Sequence, residues 1–314
     1  MERQNLFSQV NLARLDRRRK RTNRIMLGLT MLATFLAGVP LVWITLYVLI
    51  KGGQAINLAL FTRLPLPMGM AGGGVLHAIE GSLVMVLLAC VFAVPPALLA
   101  AFYLVTHPNT TLANLLHFCT DLLSGIPSIV IGLFGYVVIV VTQKHYSAIA
   151  GGVVLAIIML PIVLRSAEEM LKLVPGELRE GALALGAPEW KSAISVVLPA
   201  AAEGVVTGVM LAVARAAGET APLIFTALGN ENYEIGKYIS QGITYRQPIG
   251  QVFSNILGQP ADALPLTLWK YAQQPYPERV QQAWAVAMVL MLFVLGLNIA
   301  ARGWLARRQR QSTR

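Results

Sequence analysis

At 314 residues the chain has the length of two soluble domains, but 56% hydrophobic residues, 13% charged residues and a mean hydropathy of +0.62 exclude an ordinary soluble fold. The formal net charge of +10 sits at the two ends of the chain rather than along one interleaved patch, which argues against a nucleic-acid partner and for a membrane-topology signal. Cys90 and Cys119 lack zinc or redox spacing, and His77, His107, His117 and His145 are scattered, so no metal site, cofactor or catalytic residue is predicted.

Residues 1–24 hold eight of the 25 Lys and Arg, mostly in the run Arg17 to Arg21, and form a basic cytoplasmic segment. Residues 25–50 carry no charge and exceed the ~20 residues that cross a bilayer, so they read as a retained first transmembrane helix and not as a signal peptide. An outside loop rich in Gly and Pro follows over 51–75. A second span is predicted over 79–105 with a kink at Pro95–Pro96, and a third over 115–141, containing Pro127, Gly132 and Gly135. Two readings of that third span stand side by side: close helix packing through the small residues, or freed backbone at Pro127 lining a cavity.

The fourth span is predicted over 148–164, with Arg165 at its cytoplasmic end, where a snorkelling role competes with a place on a polar path. The fifth covers 204–228 and the sixth 283–301. After it come Arg302, Arg307, Arg308, Arg310 and Arg314, a basic cytoplasmic tail over 302–314. Six spans place both basic termini on one side. Residues 229–280 are expected to form a partly ordered external cap.

The loop at 171–199 contains the run E-G-A-L-A-L-G-A-P-E-W-K-S-A-I-S-V-V-L-P from Glu180 to Pro199. It reads as two short helices hinged at Gly186, with Pro175 and Pro188 each at a first helical position. Leu178, Ala182 and Leu185 share one face of the first helix, and Trp190, Ile194 and Val197 share one face of the second. So apolar a pair needs cover, either from its own bundle or from a soluble partner.

Span five carries the clearest breach of membrane logic. Arg215 and Glu219 are four residues apart in the predicted middle of an apolar helix, beside Thr220. On the insertion scale such a pair costs ~5–7 kcal/mol, against ~3–5 kcal/mol from the nine Leu, Ile, Val and Phe of 204–228. The helix is therefore marginal alone and is expected to face the bundle interior or an aqueous path. Either the two charges only fix packing, or Arg215 lowers the barrier for an anion while Glu219 keeps it from binding too tightly to leave.

No Walker A pattern, nucleophile elbow or zinc-protease helix occurs, so any ATP-driven step needs a separate chain. The run from Glu180 to Pro199 resembles the cytoplasmic EAA loop of type I ABC importer permeases, matching it at Glu180, Ala182, Gly186, Leu198 and Pro199; Gly181 and Ala193 depart from it. The resemblance implies an all-α polytopic membrane protein of six transmembrane helices, with a permease domain over 75–301. It also implies a coupling helix, formed by Glu180, Gly181, Ala182, Leu185 and Gly186, that inserts into a cleft of an ATPase subunit. A narrower resemblance, through Gly72–Gly74, Pro127–Val130 and Arg215–Leu223, is to the A-type permeases of phosphate-specific importers. It implies phosphate as substrate, passing Arg215, Glu219, Thr220 and Arg165. The implied partners are a second related permease, an ATPase subunit dimer, a phosphate-binding protein and the lipid bilayer of a bacterial inner membrane. A permease for another oxyanion and an ATP-independent secondary transporter are the alternatives.

Overall fold

The computed structural model describes the backbone of residues 2–67, 70 and 72–312, with side chains described within 19–303. The side chains of Arg17, Arg18, Arg307, Arg308 and Arg310, and all of Arg314, lie outside the described residues. Twelve helices carry the argument, and no strand occurs among the described residues. Helix α1 (Glu2–Gly53) belongs mainly to a unit of its own, residues 1–51, and its apolar stretch presents Ile25 to Ile50 exposed, as suits a surface facing lipid.

In the second unit, α2 (Leu76–Thr106) runs unbroken through Pro95–Pro96. It is followed by α3 (Thr111–Gly125), α4 (Ser128–Gln143) and α5 (Ala148–Lys172). The central packing is α2 along α5, and the helix of residues 198–217 also packs on α5. Small residues make this possible. Met85, Ala89, Ala93, Ala97 and Ala101 recur every fourth position of α2 and are fully buried, while an added Cβ at Gly152 of α5 would stand 2.6 Å from the Leu88 Cβ. In hydrocarbon, where lipid tails are as apolar as Leu, such close approach is what holds helices together.

The third span differs from the single helix expected over 115–141. It is broken at Ile126–Pro127 into α3 and α4, which meet at a bend of 102°. Proline removes the donor at 127 and excludes the preceding residue from helical geometry, and Ile126 is extended (φ −76°, ψ 130°). The break exists, and Gly132 and Gly135 also allow close packing, the first against Pro222 and the second against Val154 and Thr226.

The chain then forms α6 (Gly176–Ala184) and α7 (Glu189–Ala217). Two boundaries are corrected here. The fourth span continues as helix to Lys172, so Arg165 is not at its end. The fifth starts at Glu189 and not 204, because the helix after Gly186 widens through a π turn at Ala193–Val197 and joins the span with no stop. Pro175 and Pro188 are N-caps, one position before the places expected.

Beyond α7 come α8 (Ala221–Thr226), α9 (Ile235–Thr244), α10 (Ile249–Gly258), α11 (Leu264–Ala272) and α12 (Pro277–Ser312). The segment 229–280 is thus largely helical, more ordered than expected, because its apolar residues alternate at helical spacing and find a core: Tyr233, Ile256, Leu264, Leu266 and Tyr271 are buried. Five described helices are long and apolar enough to cross a membrane, and the bent pair α3–α4 makes a sixth.

Candidate functional site

Two places collect the predicted residues. The first is the turn between α6 and α7. Gly186 takes φ +81°, its N–H bonds to Leu183 O at 2.9 Å and the Ala187 N–H to Ala182 O at 3.2 Å, a Schellman closure that needs a residue at ease in left-handed geometry. Arg179 and Glu189 meet across the turn at 3.4 Å. No residue of α6 is buried. Leu185 is 91% exposed, and Leu178, Trp190 and Ile194 are exposed too, whereas Val197 is buried inside the bundle. Glu180 and Gly181 are exposed and Ala182 is half-buried. Four large apolar side chains stand uncovered around one hinge.

The second place is a break in a span. Helix α7 ends at Ala217, with Gly218 as its cap, and a new helix starts at Ala221. The expectation that Arg215 and Glu219 lie in the middle of one helix is therefore corrected. Gly218 favours termination and Pro222 takes away a donor and crowds the carbonyl four residues back, so the continuous helix is lost between them. Arg215 lies in the last turn of α7. Its Nε is 3.5 Å from Glu219 Oε1, and the two side chains are 58% and 14% exposed. Thr220 begins α8, and its carbonyl accepts from Leu223 and Ile224.

Packing gives the depth of this break. Gly204 packs on Met170 and Gly208 on Ser166, so α7 runs antiparallel to α5, and seven residues further along α7 Arg215 comes level with about Met159. That is near the middle of α5. The charges lie level with the middle of a membrane-spanning helix, at the end of α7. Break meets break: α8 packs on α4 through Pro222 and Gly132, so the interrupted third and fifth spans touch beside their interruptions. Irregular backbone at that depth is tolerated only inside protein or against a water-filled cavity.

Arg165 is not brought to Arg215. It lies about six residues nearer the end of α5 at Lys172, ~9 Å along the axis, and its Nη2 pairs with Asp121 Oδ1 of α3. Sequence reasoning missed Asp121. It also missed Glu168, which is buried and takes Lys172 Nζ at 2.5 Å and His117 Nε2 at 3.5 Å. Glu168 and Lys172 are an i,i+4 pair on α5, whereas the fold alone brings Asp121 to Arg165 and His117 to Glu168. Among the described residues no group of His, Cys, Asp and Glu could hold a metal ion.

A third polar cluster lies at the start of α2 and around α11. Burial alone would push the Asp262 carboxyl up, but the nearby His77 ring (Nε2 3.6 Å) and Lys270 (Nζ 3.0 Å) outweigh it and hold Asp262 below the usual carboxylate range. Arg279 is buried over the Tyr271 ring at 4.6 Å and donates to Leu66 O at 2.5 Å, fastening the loop before α2. Burial pushes the Tyr233 and Tyr271 hydroxyls well up.

Residues 93–311 match the family described as "Binding-protein-dependent transport system inner membrane component". The chain is 42% identical over 286 residues to the "Phosphate transport system permease protein PstA" of Yersinia pestis, covering 90% of each chain. It is 38% identical to the relative of that name in Haemophilus influenzae, over 90% of this chain and 94% of that one. This chain belongs to the PstA family of type I ABC importer permeases. The permease shares its fold with a chain of the MetNI methionine ABC transporter, solved in inward-facing conformations, at TM-score 0.51 and 17% identity over 74% of this chain and 94% of that one. It is a multi-pass membrane protein and a transport subunit.

Proposed function

We propose that this permease carries inorganic phosphate across a bacterial inner membrane as one half of an ATP-driven importer. The observation that carries the reading is the charged break: a guanidinium 58% exposed at mid-depth of a span, with the Glu219 carboxylate 3.5 Å away. A guanidinium matches phosphate in a bidentate fork and keeps its charge at all working pH. The Glu219 carboxylate competes for it, so an anion that reaches Arg215 is held weakly enough to move on. Thr220, at the start of α8, adds a hydroxyl beside the pair.

Exposure of Arg215 in the single chain calls for a second, related permease that closes the path on that side. Arg165, paired with Asp121 nearer the other end of α5, serves as a later station on the same route. The sequence has no Walker A pattern, and force arrives through Leu185 and its neighbours from a dimer of ATPase subunits, with Gly186 as the hinge and Glu180, Gly181 and Ala182 on the docking helix. A phosphate-binding protein delivers the anion to the helices of 229–280. Both termini then lie in the cytoplasm, basic at each end.

The deciding experiment is uptake of labelled phosphate by the assembled importer, with sulfate and molybdate as competitors. Competition by unlabelled phosphate alone supports the reading. Equal competition by sulfate or molybdate replaces phosphate by another oxyanion, and uptake that persists without any co-purifying ATPase replaces the importer by a secondary transporter.

A further inference from the structure

Helix α3 is lightly held. Of its 15 residues only Ala113 and Thr120 are buried, and the extended backbone at Ile126 followed by Pro127 separates it from α4, which lies at 102°. That joint lets α3 move without bending a helix. Two polar rungs join it to α5: Asp121 to Arg165 Nη2, and His117 Nε2 to Glu168 Oε1 at 3.5 Å. Elements with so few buried contacts are the ones that open first.

Breaking an ion pair is costly where it strands a charge, and neither rung does so. If His117 leaves, the buried Glu168 keeps Lys172 Nζ at 2.5 Å. If Asp121 leaves, Arg165 has Glu169 four residues on, the spacing at which Arg215 reaches Glu219 at 3.5 Å on α7 and beyond its end. Among the described residues Glu169 has no ion-pair partner of its own. Arg165, Glu169 and Lys172 are also the exposed residues of α5, and their i, i+4, i+7 spacing makes them one charged stripe. Every partner that α3 uses on α5 therefore has a substitute on α5 itself. An arginine that precedes its acid is the less favourable order at this spacing, which suits Asp121 as the holder of the guanidinium at rest.

An anion can decide between the two arrangements. The Arg165 and Asp121 side chains are 51% and 60% exposed, so the pair is open to an ion from solvent. Phosphate matches the guanidinium fork that the carboxylate now occupies, and its charge repels Asp121. We propose that the Asp121–Arg165 pair is a latch opened by phosphate: the anion takes Arg165 from Asp121, α3 loosens from α5, and Glu169 takes over Arg165 as the anion leaves. The latch rests on the reading of Arg165 as a station on the phosphate route, and it links passage of the anion to release of a helix.

The test is hydrogen exchange of residues 111–125 in the assembled importer in nanodiscs, with and without saturating inorganic phosphate. Exchange there is expected to quicken about fivefold with phosphate, the effect of losing an exposed ion pair at the upper end of its range. Residues 148–164 of α5 stay unchanged and report an intact fold. Asp121→Asn gives the fast exchange without phosphate and no further response, whereas Asp121→Glu, which keeps a carboxylate, retains the response. Glu169→Gln removes the competitor for Arg165 and lowers the phosphate concentration of half-response about fivefold. Unaltered exchange in an importer that takes up phosphate overturns the latch and leaves the phosphate reading standing. A response that survives Asp121→Asn, or a half-response that Glu169→Gln does not move, overturns it too. If uptake assigns another oxyanion, the phosphate reading falls, and the latch is overturned when that anion leaves exchange of 111–125 unchanged.

Discussion

The turn at Gly186 and the break at Gly218 are both interruptions near glycine, yet they face opposite problems. At Gly186 the chain is outside the hydrocarbon, the interruption is closed by its own backbone hydrogen bonds, and what remains unsatisfied is apolar surface: Leu185, Trp190 and Ile194 have nothing over them. At Gly218 the chain is at mid-membrane, and what remains unsatisfied is charge, with Arg215 largely exposed. Water makes apolar surface expensive to leave bare, and hydrocarbon does the same to charge, so each interruption marks a partner of the opposite kind. In the proposed reading an ATPase subunit covers the first and an anion passes the second.

The sharpest way to break this comparison is Arg215→Gln. If Arg215 supplies the ~3 kcal/mol that a fixed cation is worth at this depth, phosphate uptake falls about a hundredfold while the membrane level of the protein is unchanged. Unchanged uptake would reduce Arg215 to a packing residue. Next is Gly186→Val, which forces a β-branched residue into φ +81° and is expected to lower phosphate-stimulated ATP hydrolysis about tenfold, at ~1–2 kcal/mol for left-handed geometry. Gly186→Asn, tolerated in that geometry, should restore most of it, and equal loss in both variants would argue against a backbone role.

Leu185→Lys removes apolar surface that is 91% exposed, so thermal stability of the chain should stay within ~0.5 kcal/mol of the original while the ATPase dissociates during purification. A stable complex would return α6 to the role of a bare interfacial helix. Gly208→Val tests the frame that sets the depth of Arg215. Its side chain would collide with Ser166, and overpacking of this kind lowers stability by ~1–3 kcal/mol, read as a lower unfolding temperature in detergent. The smallest effect concerns acid. Asp262 has a folded pKa below its unfolded value, so its contribution is fully present above about pH 4 and is lost as the pH falls through the lower folded value. Hydrogen exchange in 261–272 should therefore quicken below about pH 4, and Asp262→Asn should flatten that dependence.

Much of this was legible along the chain. Long apolar stretches marked the spans, the spacing of Leu178, Ala182 and Leu185 marked one apolar face, and Gly186 carried its left-handed turn in its identity. The errors were at boundaries. The start of α7 was misjudged because Trp190 to Val197 is amphipathic enough to read as a separate surface helix, and nothing local says that a π turn carries it into the span. Asp121 went unnoticed because its cation, Arg165, is on another helix, while Glu168 could have been found from Lys172 four residues on.

Local chemistry therefore determined the class of this protein, the number of its crossings and the identity of its two unsatisfied places, since transfer free energy and backbone preference act over a few residues. Tertiary structure decided how deep Arg215 lies, that its helix stops there against the broken third span, and that Arg165 belongs to Asp121. Those outcomes depend on which helices pack, and packing in a membrane is set by small residues such as Gly132, Gly204 and Gly208 whose partners lie far away in the chain.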